Sequence, residues 1–574
     1  MESNKGSQLH LIHSLMKNIF CALILILLLP FGGISQATAP SRYWVQFKDK
    51  NNSPYTVTNP LAYLSPRAIQ RRLNQSIPVV YSDLPVNQRY VDSVMAKGAH
   101  IHSRSKWLNG VVVQVSSAAM LASIESLPFV AGSKAVGALA RPIGTGTGKL
   151  LLPPANEDKH GPALPLPNSL NYGPSLNQIS MLQGVCLHDQ GFQGQGMVIA
   201  VLDAGFQHAD TLHVFDSLRA NHQLLGGWNF VDEDDSVYKK HIHGTAVLSD
   251  MGGNMPGQII GTAPKAQYWL LITEDVNSEY VIEEYNWAAG AEFADSVGAD
   301  VINTSLGYTT FDDSTENHTY MDMNGHTAPA SRAANFASNK GIAVVCAAGN
   351  LAQAPWRHIG TPADADSVLA VGSVNSSEVY SAFSSQGPDY GGMVKPAVAA
   401  QGEGAITADW NSNGILSENG TSFASPITCG LVACLWQAHP GIRNVQLLAA
   451  IEQSASQYTH PDTLLGYGIP DFCAANLSLG IIEQHQPGQD ALGQPFPNPF
   501  ADSFQFFIWS DESQHISVSL YDLTGRCIRS ESMELGAQTG HNFSMQGLSG
   551  LAGGMYMLTI KTGKTVFAKK MMKE

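Results

Sequence analysis

From Gly191 onward the apolar residues fall in unbroken blocks: MVIAVL, YWLLI, DVINTS, IAVVCAA and VLAVGSV. A strand covered on both faces loses the polar alternation of a half-exposed one, so blocks of this kind separated by helical stretches predict a parallel α/β sheet. Helices are expected over 278–297, in the run ending at Gly341, after Ser422 and over 444–454. The pattern ahead of this region differs. YWVQF, LNGVVVQV and FVAGSKAV read as strands and 87–96 and 117–126 as helices, which together predict a small α+β unit. Near the other end, FQFFIWS, ISVSLYDL and GMYMLTIKTG read as short strands with turns, an all-β sandwich. The Pro- and Gly-rich segment 138–170 and the polar QHQPGQDALGQ have little to bury and read as linkers. No internal repeat is present.

Composition narrows the function. Hydrophobic residues make up 44% of the 574 positions and charged residues 14%, the balance of folded domains rather than disorder. A formal net charge of -15 argues against a nucleic-acid partner, which calls for clustered Lys and Arg. Lys17, the apolar run from Ile19 to Phe31 and the small residues before Gln36 predict a removable export signal over 1–35, with no transmembrane span in the mature form. Six cysteines follow Cys21, without a CxxC. They suggest neither a zinc site nor a disulfide framework, leave room for one bridge after export, and otherwise read as core residues.

Three polar residues stand where functional groups gather in an open α/β sheet, at strand ends and helix starts. Asp203 ends MVIAVL, His243 opens HGTAV, and Ser422 opens a small-residue helix in NGTSFASP. A serine hydroxyl needs an imidazole to take its proton, and a carboxylate to hold that imidazole in the right tautomer. An oxyanion then needs donors: the Asn350 amide, closing VVCAAGN, and the Ser422 N–H at a positive helix end. Singly, each has a plainer reading, as a helix cap or a satisfied core histidine. Jointly, D-x-G after a strand, H-G-T at a helix start, A-A-G-N and G-T-S-x-A-S-P are not the pattern of independent caps.

These stretches resemble the subtilisin-type serine peptidases (subtilase, family S8), and the likeness extends to GTAPKAQ from Gly261, DVINTSLG from Asp300, SSQGP from Ser384, KPAVAAQG from Lys395 and GYG from Gly466. The resemblance implies a subtilisin-like parallel-sheet domain over 171–480, with Asp203, His243 and Ser422 as catalytic triad and Asn350 as oxyanion donor. It implies that Ser305, Leu306 and Gly307 pair with an extended protein or peptide substrate, and that Ala347, Ala348 and Gly349 wall its pocket. No cofactor is required. The run Asp232 to Asp235 offers oxygen ligands and leaves a structural calcium open, but without clear ligand spacing it reads as a solvated loop. His241, outside the H-G-T context, reads as loop surface. The chain departs from the family at Ala204, where a hydroxyl residue is usual, at Ala246, in place of a second His, and at Phe423, in place of Met.

Residues 36–137 resemble the propeptides of such peptidases, with 138–170 as the exposed segment for removal. Residues 494–574, after a linker at 481–493, resemble the C-terminal sorting module of the type IX secretion system; PFPNPF, YDLTGR and the terminal Lys569, Lys570 and Lys573 carry the likeness. The expectation is a protein secreted from, or held on, a Gram-negative cell, with its own propeptide and the type IX machinery as partners. The rival reading is a noncatalytic surface adhesin on a subtilase scaffold. An α/β-hydrolase esterase would need G-x-S-x-G, which GTSFA lacks.

Overall fold

The computed structural model describes residues 41–138, 170–484, 490–493, 495, 498–510, 512–537 and 539–573. The expected export signal and nearly all of the 138–170 linker lie outside them. Among the described residues, no helix is long and apolar enough to cross a membrane.

The N-terminal unit is a four-stranded antiparallel sheet in the order β2-β3-β1-β4: β1 (Arg42–Phe47), β2 (His100–Ser105), β3 (Gly110–Gln114) and β4 (Val130–Gly137). It also contains α1 (Pro66–Asn74), α2 (Gln88–Met95) and α3 (Ala118–Glu125). Val45, Phe47, Val111 and Val113 face a core closed by Val91, Val94 and Ile124 of the last two helices. Strand alternation sends Trp44, Val112 and Val136 the other way, into the core of the central domain.

The seven strands of the central sheet are all parallel: β5 (Val198–Asp203), β6 (Leu224–Asn229), β7 (Gln267–Ile272), β8 (Val301–Thr304), β9 (Ala343–Ala347), β10 (Val368–Val374) and β11 (Val398–Gln401). Their order is β11-β10-β9-β8-β5-β7-β6. Apart from the edge strand β6, whose residues are mostly half-buried, both faces are covered, which is why five of these strands read as unbroken apolar blocks. Ile199 and Val201 join one core with α4 (His243–Gly252), while Val198, Ala200 and Leu202 join the other with α5 (Ile282–Val297) and α6 (Pro329–Asn339). A hairpin of β12 (Ala405–Ala408) and β13 (Ile415–Glu418) leads into α7 (Thr421–Ala438), followed by α8 (Asn444–Gln453) and α9 (Phe472–Gln484). Every residue of α7 from Thr421 to Trp436 is buried. After β5 the chain goes to the edge strand β6 and returns through β7, and the later strands add on the other side of β5, so the order switches there, and the crevice at the carboxyl ends of β5, β7 and β8 is where such sheets hold their chemistry.

The C-terminal unit packs a three-stranded sheet, β14 (Ala491–Leu492), β15 (Phe504–Ser510) and β18 (Thr539–Met545), on a four-stranded one, β16 (Gln514–Tyr521), β17 (Cys527–Leu535), β19 (Gly554–Lys561) and β20 (Val566–Lys573). Phe504, Phe506 and Ile508 meet Val518, Leu520 and Leu558 in its core. The expected linker 481–493 is partly structured: α9 runs on to Gln484, and Ala491 and Leu492 pair with β15. Cys186 and Cys473 form a disulfide, while Cys346, Cys429 and Cys434 are buried free thiols and Cys527 is exposed.

Candidate active site

Asp203 is the last residue of β5, and His243 is the first of α4. The helix start can approach the strand end because position 244 is glycine; a Cβ there would come within 2.5 Å of Gly205 O and 3.0 Å of Asp203 Cβ. His243 Nδ1 lies 2.8 Å from Asp203 Oδ1, with both side chains fully buried. A carboxylate at Nδ1 keeps the proton there and leaves Nε2 as the basic nitrogen. His243 Nε2 has no hydrogen-bond partner among the described residues, and neither has Asp203 Oδ2. The Ala204 N–H donates to Oδ1 at 2.7 Å, but alanine brings no hydroxyl for the second oxygen.

Ser422 is the second residue of α7, not its cap; Gly420 holds the cap position. The reading of this serine as a plain N-cap therefore fails. The next residue, Phe423, places its ring 6.1 Å from the His243 ring. In this arrangement Ser422 Oγ donates to Ser305 O at 3.4 Å instead of to His243. A long or unformed contact of this kind is common before substrate binds. Pro426 has no N–H to offer the carbonyl four residues earlier, which is that of Ser422. The Ser305 hydroxyl fills that role at 2.8 Å, tying the segment after β8 to the start of α7.

Asn350 follows β9. Its Oδ1 accepts the Thr421 N–H at 2.9 Å and the Thr421 hydroxyl at 3.0 Å, and Thr421 Oγ1 accepts the Gly349 N–H at 3.1 Å. The amide oxygen is thus fixed on Thr421, the first residue of α7, which turns the NH2 end away from that residue. Leu306, Ala347 and Ala348 are buried, and a Cβ on Gly307 would meet nothing closer than Thr361 O at 3.8 Å, so a peptide backbone has room beside it. All ten residues singled out in the sequence lie on the β5, β8 and β9 ends or at the start of α4 and α7.

Three comparisons bear on this arrangement. Residues 194–468 match the subtilase family, residues 42–146 the Peptidase S8 propeptide domain of Bacteroidota, and residues 494–574 the secretion system C-terminal sorting domain. Subtilisin from Bacillus pumilus is 31% identical over 302 residues, which cover 52% of this chain and 97% of that protein. The chain belongs to the subtilase family. Subtilisin E from Bacillus subtilis is 32% identical over 282 residues, and the match spans 48% of this chain and 65% of that relative's length. MycP1 from Mycobacterium smegmatis, a solved structure, is similar at 24% identity with a TM-score of 0.42, covering 57% of this chain and 92% of its own.

In this subtilase the acidic run is not a simple solvated loop. Asp232 pairs with Lys239 and Lys240, Asp234 with Lys239, and Glu233 with His100 and His102 of the N-terminal unit. Among the described residues, no three His, Cys, Asp or Glu side chains are placed to hold a metal. His241 corrects another expectation: it is half-buried, and its Nδ1 accepts the backbone N–H of His243 at 3.1 Å. The signal available in the sequence was its place two residues ahead of His243, but a loop position does not announce a fold-back.

Proposed function

We propose that the protein is an exported serine endopeptidase that cuts peptide bonds through an acyl-enzyme on Ser422. His243 takes the Ser422 proton and returns it to the leaving amine; Asp203 orients the ring and stabilises its charged form. The Asn350 NH2 and the Ser422 N–H hold the oxyanion, and Ser305 to Gly307 align an extended substrate beside the Ala347–Gly349 wall. The observation that carries this reading is the buried Asp203–His243 hydrogen bond, whose far ring nitrogen has no protein partner beside the residue that follows Ser422. A purely structural histidine, buried this deeply, ordinarily has both nitrogens satisfied.

On this reading residues 1–35 are the export signal, 36–137 the propeptide, 138–170 the segment through which it is removed, 171–480 the peptidase and 494–574 the sorting domain. Arg42, Gly137 and Ala138 line a pocket with Asp275, Tyr280 and Glu283, so the propeptide chain leaves β4 beside the loop that follows β7. The sorting domain supports secretion or cell-surface display, with the type IX machinery as a partner. Protein substrates follow from the peptidase assignment, and no cofactor enters the chemistry described.

A fluorophosphonate probe tests the reading against that of a noncatalytic adhesin. The mature protein takes the label, and Ser422→Ala abolishes it while leaving the folded domain intact. Absence of label on folded, propeptide-free protein would favour the adhesin.

A further inference from the structure

The helix that begins at His243 has no side-chain cap at Ile242, the residue before it. The first N–H groups of a helix have no intrahelical partner, and that of His243 is satisfied by a second imidazole. His241 Nδ1 accepts it at 3.1 Å, with the two rings 6.4 Å apart and tilted by 45°. Accepting at Nδ1 requires a bare lone pair, so the His241 ring is neutral with its proton on Nε2.

The loop that carries His241 is seated on the turn after Asp203. Gln207 N donates to His241 O at 3.1 Å, and Phe206 N donates to Val237 O at 3.1 Å. Gly205 makes the contact feasible, because a Cβ there would come within 2.4 Å of both His241 N and Lys239 O. One turn, 203–207, therefore anchors both the carboxylate that grips His243 Nδ1 and the loop that grips the His243 backbone. The charged groups acting on His241 are His243 and Asp203. Lys239 and Lys240, on its own loop, are engaged with Asp232 and Asp234, and Glu418 acts on the His243 side from β13.

Building on the peptidase reading, we infer that His241 is a positioning residue for the general base: its neutral ring holds the His243 backbone so that the His243 side chain reaches both Asp203 and Ser422, and a proton on His241 releases that hold. Protonation converts Nδ1 from acceptor to donor, facing it against the N–H it had bound. Burial first, and then the neighbouring His243, push the His241 pKa down from the ordinary histidine value, with Asp203 opposing. The hold is therefore present at neutral pH and lost in acid.

The test uses His241→Ala and His241→Asn in the full chain, with kcat and KM on a peptide substrate followed through the acid limb. Losing one hydrogen bond lowers kcat about three- to tenfold in His241→Ala, with KM little changed. Asparagine can accept an N–H two residues ahead, so His241→Asn recovers kcat to within about twofold of the wild type. The wild-type acid limb falls more steeply than a single protonation allows, and in both variants it falls with the slope of one proton. Wild-type kcat in His241→Ala, an asparagine variant no better than alanine, or a slope unchanged by either substitution overturns the inference. If His241→Ala does not fold, the slope in His241→Asn decides alone. Fluorophosphonate labelling of the wild type separates the two failures: a labelled wild type with unaffected variants removes the role of His241 and leaves the peptidase reading standing.

Discussion

Asn350 shows how little of a side chain's work a motif records. Its oxygen is held by two donors from Thr421, and that fixation gives the NH2 end a direction. On the proposed mechanism Asn350→Ala retains the fold and loses about a hundred- to thousand-fold in kcat, the magnitude being that of subtilisin's own oxyanion donor and not one read from this site. Titration of residual activity against labelled Ser422 measures it; an unaltered kcat removes Asn350 from the oxyanion role. The residue types were legible in the sequence because an aspartate, a histidine, an asparagine and a serine appear in separate short motifs. The partners were not. Nothing local says that the Ser305 hydroxyl replaces the N–H that Pro426 lacks, or that His241 folds back onto His243.

Among the elements, α1 and β2 are two that the hydrophobic pattern misses. PRAIQRRLN buries Arg71 and Arg72 instead of an apolar stripe, and HIHSRS offers almost no apolar face. Both make sense against α5. Arg71, Arg72 and Lys106 converge on Asp295, while Glu292 accepts the N–H groups of Lys106 and Trp107. Trp44 stacks on Tyr285 at 4.6 Å and Trp107 on Phe336 at 5.8 Å, completing the contact. Burial alone would raise the Asp295 pKa, but Lys106, Arg72 and Arg71 together hold it well below the usual carboxylate range. A depressed carboxylate contributes stability above its unfolded pKa and loses it only as pH falls through the folded value. Acidification to about pH 4 therefore does not loosen the N-terminal unit through this cluster. Asp295→Asn leaves three cations buried around a neutral group and costs about 3–5 kcal/mol of attachment. Thermal unfolding of precursor and of propeptide-free protein checks this: the precursor loses stability, the mature form little. Equal losses in both would place the effect inside the central domain.

At the scale of the whole molecule, the Cys186–Cys473 bridge joins the first and last parts of the central domain across 287 positions. Cross-linking a chain at such separation constrains the unfolded state, and Cys473→Ser lowers stability by about 2–5 kcal/mol, with the same loss on reduction of the wild type. Denaturant titration with and without reductant measures it, and coincident curves would show the bridge to be dispensable.

The amino-acid pattern determined the three units, the parallel character of the central sheet and the chemical types at its crevice. Those features rest on local periodicity, turn residues and short motifs, each readable within a dozen positions. Tertiary structure alone decided which two cysteines bond, why arginines are buried in α1, how the acidic run meets His100 and His102, and that His241 accepts the His243 N–H. Each of those depends on groups far apart in the chain, whose meeting is set by packing and by pairing charges away from water, and packing has no period along a sequence.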